Sequence, residues 1–175
     1  MTAEEAAQKA EQNFKEGFNC AQSVLCTFSS EIGMPVETAL KTAQPFGGGV
    51  CRMREICGTV TGMLMTLGFM EGSADPKDKD SKDRIYKTGQ LLMQKFKEQN
   101  GSFICRELLG LAPMGESQKY LASNTVAGSA SSPVSEERTV EYYKKRPCVE
   151  MVGLAADLLE QYLAEHPVPR REANA

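Results

Sequence analysis

The chain of 175 residues has no tryptophan and one histidine, His166. A lone histidine in a proline-flanked tail is a poor general base, which argues against a Ser–His–Asp site and against Cys–His nucleophilic catalysis. No CxxC pair occurs among the six cysteines. The close ligand pairs of structural zinc sites and the usual dithiol redox motif are therefore missing. Basic excess is missing too: the net charge is −3, and Lys and Arg alternate with Asp and Glu in "DPKDKDSKDR". That pattern reads as a solvated surface and excludes a nucleic-acid footprint. The apolar stretch from Ile56 to Met70 carries no charge but falls short of the roughly 20 residues a membrane span requires. The opening "MTAEEAAQKAEQNF" lacks the basic start and apolar run of a secretory signal. These absences lead to the expectation of a cytoplasmic protein without membrane insertion, whose thiols stay reduced.

What is present is helical punctuation. Thr2 and Glu5 form a capping box before a helix over 3–15, and Gly17 breaks it. Asn19 and Gln22 repeat the signal. Ala21, Val24, Leu25, Phe28 and Ile32 then follow at helical spacing up to Gly33. Pro35 opens a third helix. A fourth is expected over 57–70 and a charged fifth over 81–99. Ser102 is expected to cap a short helix carrying Cys105, and another is expected over 136–144. Arg146-Pro147 opens the last helix, with proline at its first position. Residues 111–135 read as a long surface loop and 166–175 as a frayed tail. No segment alternates with period two. The expected fold is all-α, a single domain over 1–175 built as a compact bundle of about six to eight helices.

The cysteines fall at particular places in this pattern. Cys20, Cys57, Cys105 and Cys148 each sit in the first turn of an expected helix. A helix N-terminus offers unpaired N–H groups and partial positive charge. Both favour thiolate, the nucleophilic and metal-ligating form. If the four helix starts converge, they make a pocket suited to an anionic, sulfur-ligated centre. Cys26 lies mid-helix and reads as packing. Cys51 lies in the glycine segment, within reach of Cys57. Gly47, Gly48, Gly49 and Gly58 would let backbone approach the sulfurs and donate N–H groups to them, which raises cluster potentials. "FGGGV" has no GK[ST] and is not a phosphate loop. Arg52 and Arg54 read as solvated, or else as balancing an anionic centre or binding a partner. The methionines of "GMLMTLGFM" read as core filling.

These sites resemble the small redox-active family named for a C…GCAxxG…C…C pattern. "GFNCAQSVL" looks like its first cysteine site, and "CGTVTG" at 57–62 matches its CGAxxG element with Thr59 in place of alanine. "CRELLG" and "RPCVEMV" look like the third and fourth sites. The resemblance implies redox activity. It also brings in a link to an iron–sulfur centre through domains of this kind that are joined to haem proteins, although no CxxCH haem-attachment site occurs here. The leading expectation is an electron-transfer protein binding an iron–sulfur cluster through Cys20, Cys57, Cys105 and Cys148, with Cys51 in reserve and an unidentified redox partner protein. The alternative is a thiol–disulfide oxidoreductase cycling Cys51/Cys57 or Cys57/Cys148. A zinc protein, or a helical binding protein with buried cysteines, ranks third. Self-association is left open.

Overall fold

The computed structural model describes residues 1–111 and 132–167. Among these residues the protein has eight α-helices and no strand. They are α1 (Ala3–Lys15), α2 (Cys20–Thr27), α3 (Val36–Ala43), α4 (Gly58–Glu71), α5 (Lys79–Asn100), α6 (Cys105–Leu108), α7 (Val140–Lys144) and α8 (Cys148–Glu165). A 3₁₀ turn over Gln44–Phe46 follows α3. No helix among the described residues is long and apolar enough to cross a membrane.

The all-α expectation holds, and both capping boxes form. The Thr2 hydroxyl accepts from Glu5 N at 3.1 Å, and Thr2 N donates to the Glu5 carboxylate at 2.7 Å. Asn19 Oδ1 accepts from Ala21 N and Gln22 N, both at 3.0 Å. Several helix boundaries differ from the sequence reading. Helix α2 stops at Thr27, not near Ile32, because its hydroxyl residues bond back to the preceding turn. Thr27 Oγ1 donates to Ser23 O at 2.8 Å, and Ser29 Oγ donates to Cys26 O at 3.0 Å. Helix α5 starts two residues early, since Asp78 accepts from Ser81 N at 2.9 Å. Ser102 does not cap α6; its hydroxyl closes a turn by accepting from Ile104 N at 2.9 Å. Helix α7 begins only after Thr139, whose hydroxyl accepts from Tyr142 N at 3.2 Å. Pro147 is the N-cap of α8, not its first residue. Of the expected loop and tail, residues 112–131 and 168–175 lie outside the described residues.

The main core forms where α1 lies along α8. Ala6, Ala10 and Phe14, four residues apart, face Met151, Val152, Ala155, Ala156 and Leu159. Phe28, Val60, Met63, Leu67, Leu92 and Phe96 close it from α4, α5 and the end of α2. A smaller cluster of Ala21, Leu25, Cys26, Ile32, Met34, Ala39 and Ala43 packs α2 against α3. Helices α2 and α4 approach unusually closely. A methyl added at Gly62 would lie 2.6 Å from Ala21 O, and one at Gly58 would lie 3.1 Å from Cys20 Cβ. Only glycine permits that approach, and it brings the start of α2 against the start of α4.

Candidate functional site

Four cysteines mark helix starts. Cys20, Cys105 and Cys148 are the first residues of α2, α6 and α8, and Cys57 is the N-cap of α4. Tertiary contacts draw them together. The Gly58 contact joins Cys20 to the Cys57 end of α4. A short antiparallel bridge between Ile56 and Ile104 joins Cys57 to Cys105. In it Cys57 N donates to Phe103 O at 2.9 Å and Cys105 N donates to Glu55 O at 2.6 Å. The bridge had no sequence signal, since a single paired residue has no period.

The thiols share one electrostatic environment. Cys20 is hydrogen-bonded to Cys148, and the charges of Cys57 and Cys105 also act on it. The pair is asymmetric. The bond to Cys148 and then burial push the Cys20 thiol well up. The same bond brings Cys148 down, aided against burial by Arg146, Arg138 and Arg54. Of the pair, Cys148 is the thiol that ionises first and Cys20 the one that keeps its proton. Burial pushes Cys57 up to about 12, opposed by Thr59. The Thr59 hydroxyl is fully buried and has no nitrogen or oxygen partner; it faces the Cys57 sulfur. Burial also raises Cys105, opposed by Arg54, which hydrogen-bonds to it. Cys26 stands apart in the smaller cluster, where burial pushes it up to about 11.

Sequence reasoning left Arg52 and Arg54 either solvated or balancing an anionic centre, and the structure turns Arg54 inward to the thiols. Arg54 is 3% exposed and reaches Cys105. Arg52, Arg54 and Arg146 converge on Glu136, at 3.5, 3.8 and 2.6 Å. Burial raises the Glu136 carboxyl, but the Arg146 hydrogen bond and the three positive charges outweigh it and hold the group below the usual range. Arg138 donates to Phe14 O at 3.3 Å and Phe18 O at 3.2 Å, at the C-terminal end of α1. Its guanidinium stacks 4.5 Å from the Phe14 ring and 5.0 Å from Tyr142. Arg138, Arg146 and Glu136 were missed. The one available signal was Arg146, two residues before Cys148; the others come from a segment whose path the sequence does not dictate.

The glycine segment is an unusual coil. Gly48, Gly49, Val50, Cys51 and Arg52 have successive positive φ values of 66°, 72°, 58°, 48° and 60°, and Arg54 has 63°. Such geometry costs roughly 1–2 kcal/mol for each non-glycine residue. Hydrogen bonds reaching six residues back along the chain sustain it, among them Cys51 N to Pro45 O at 2.6 Å, Arg54 N to Gly48 O at 3.2 Å and Glu55 N to Gly49 O at 3.0 Å. Gly49 presses on the thiol site: a methyl there would lie 2.6 Å from Cys105 Cβ. Gly47 lies against Asn19, and Gly48 against Arg52. Cys51 is exposed on a cleft that none of the four helix-start cysteines lines, whereas Cys57 is 5% exposed. His166 is exposed and stacks on Tyr162.

Four thiols are the right donors for a soft metal or an iron–sulfur cluster. Their placement is a different matter. Ligation requires every sulfur about 2.3 Å from a metal. Among the described residues no three His, Cys, Asp or Glu side chains are so arranged. The donor set suits either group in type; the arrangement does not gather three ligands on a single ion, and a cluster, which spreads its cysteines over several irons, sets no such requirement.

A family model described as "Putative redox-active protein (C_GCAxxG_C_C)" matches residues 18–162, a span holding all six cysteines. Comparison with curated proteins and with solved structures gives no match.

Proposed function

The chain belongs to this C_GCAxxG_C_C family of redox-active proteins, and from that premise we propose that its chemistry is thiol–disulfide exchange at Cys148 and Cys20. The observation that supports this reading is the hydrogen-bonded pair with opposite thiol shifts. A dithiol couple needs a nucleophile ionised near neutrality and a second thiol in reach to resolve the mixed disulfide. The Cys148 thiolate attacks one sulfur of a substrate disulfide. That S–S bond breaks, and the leaving sulfur departs as thiolate and takes a proton from solvent. Cys20 then gives up its proton and attacks the Cys148 sulfur, releasing the second substrate sulfur. The chain now holds a Cys20–Cys148 disulfide, the substrate has become two thiols, and two electrons have passed. Arg146, Arg138 and Arg54 keep Cys148 charged. Cys57 and Cys105, buried and raised, are not the attacking groups.

A second reading is ligation of an iron–sulfur cluster by Cys20, Cys57, Cys105 and Cys148 for electron transfer to a partner protein. The mutual coupling of all four thiols and the surrounding arginines favour it. One experiment separates the two. Protein purified without oxygen is assayed for iron and sulfide, then titrated with a disulfide and mapped under non-reducing conditions. The dithiol reading expects a reversible Cys20–Cys148 bond, lost in Cys148→Ser and kept in Cys57→Ser and Cys105→Ser. Stoichiometric iron and sulfide, stripped by serine at each of the four positions, would overturn it in favour of the cluster.

A further inference from the structure

A cleft of about 420 Å³ opens at the start of α2, next to the residue that precedes Cys20, within the range of small-ligand sites. The described residues lining it include Asn19, Gly48, Cys51, Arg52 and Arg138, and none is acidic. It adjoins the pair through two residues. Asn19 precedes Cys20 and caps its helix, and Arg138 is one of the charges acting on Cys148.

Among the described residues, the charge at this mouth is mainly positive. One carboxylate, Glu136, serves Arg52, Arg54 and Arg146. The Arg138 guanidinium donates to two backbone carbonyls and has no carboxylate partner among the described residues. Arg52 bonds Ser132 O through Nε at 2.7 Å, and among the described residues its terminal nitrogens meet Glu136 at 3.5 Å. Guanidinium forks of this kind suit carboxylates.

We propose that this cleft receives small disulfides bearing carboxylates and presents them to the Cys148/Cys20 pair, an assignment that rests on the dithiol reading. The two arginines hold the carboxylates, and exchange runs as above. The ligand disulfide is reduced to two thiols, the Cys pair is oxidised to its disulfide, and the reverse direction oxidises two such thiols.

The test is the rate at which the reduced full chain forms the Cys20–Cys148 bond with three probes. These are dithiodiglycolate (anionic), bis(2-hydroxyethyl) disulfide (neutral) and cystamine (cationic). Each rate is normalised to that of the same probe with dithiothreitol. At low ionic strength the anionic probe should exceed the neutral one about tenfold and the cationic one by more, and added salt should compress the ratio. Arg52→Glu should bring the anionic-to-neutral ratio to one or below, whereas Lys87→Glu, on the exposed face of α5, should keep it. The salt dependence of the wild type preserves the test if a cleft variant folds poorly. Equal normalised rates for all three probes, with the pair oxidised, would overturn this assignment and leave the dithiol reading standing. A pair that stays reduced with every probe would remove the dithiol reading itself.

Discussion

Cys148 and Cys57 carry the same thiol with opposite tendencies because their surroundings differ in charge. Cys148 faces a hydrogen-bond donor and three arginines, while Cys57 faces apolar core and one hydroxyl. At pH 8 in native protein, iodoacetamide should label Cys148 and leave Cys57 untouched, as read by peptide mass mapping. Cys20→Ser replaces a sulfur donor with a shorter hydroxyl. It should shift the pH midpoint of Cys148 alkylation upward; an unchanged midpoint would show that the pair does not set the Cys148 charge. Glu136→Gln acts in the opposite direction, since three arginines lose their shared carboxylate. The Cys148 midpoint should fall. Stability should drop by no more than about 1 kcal/mol, because the carboxylate is half exposed and screened. The sign with pH follows from the depressed carboxyl. Its contribution is present above the unfolded carboxyl's value of 4.5 and is lost as pH falls through the lower folded value. Denaturant midpoints of wild type and variant should therefore converge in acid.

At the scale of elements, the left-handed coil is where the chain departs most from ordinary backbone. Val50 at φ 58° is β-branched in a region that disfavours it. Val50→Gly should raise stability by up to about 1 kcal/mol; a loss in urea titration would mean that the Val50 side chain contributes more than its backbone costs. Gly49→Ala should do the reverse. Its methyl would meet Glu55 N at 2.8 Å and Arg54 Cα at 2.9 Å, as well as Cys105 Cβ. Two of these atoms are backbone, so no rotamer relieves the clash. A loss of about 2–3 kcal/mol is expected, with Cys105 newly open to alkylation. The coil thus couples backbone geometry to the thiol site, and Arg54, held in it at φ 63°, reaches Cys105.

For the whole molecule, raised thiols make folding sensitive to alkali. The buried Cys57 thiol rises from 9.0 to about 12. A group raised in the folded state contributes fully below its unfolded pKa, and that contribution is lost as pH climbs through the folded value. Above pH 9 the loss from Cys57 alone approaches 1.4 kcal/mol per pH unit. Cys20, Cys26 and Cys105 act in the same sense. Cys148 has the opposite sign: its contribution is present above pH 9 and is lost as pH falls through its lowered folded value. Urea unfolding under reducing conditions should show stability declining from pH 9 to 10.5. Cys57→Ala should flatten that decline, whatever its cost at neutral pH; an identical slope would mean that Cys57 is not shielded as its burial indicates.

The sequence by itself determined the helices and the place of the cysteines on them. Capping boxes at Thr2 and Asn19 and the apolar spacing of α1, α4, α5 and α8 are local signals, set by hydrogen bonds and periodicities within a few residues. That is why the all-α class and the first turns holding Cys20, Cys105 and Cys148 were legible before any packing was known. Tertiary structure decided everything that depends on distant segments meeting. It put Cys20 against Cys148 across 128 residues of chain, joined Cys57 to Cys105 by an isolated bridge, and left Cys51 exposed on the wall of the cleft. It also turned Arg54 inward and folded Arg138, Arg146 and Glu136 over the site. Charge and burial at a thiol come from neighbours in space, and a Coulomb interaction falls with distance, not with separation along the chain.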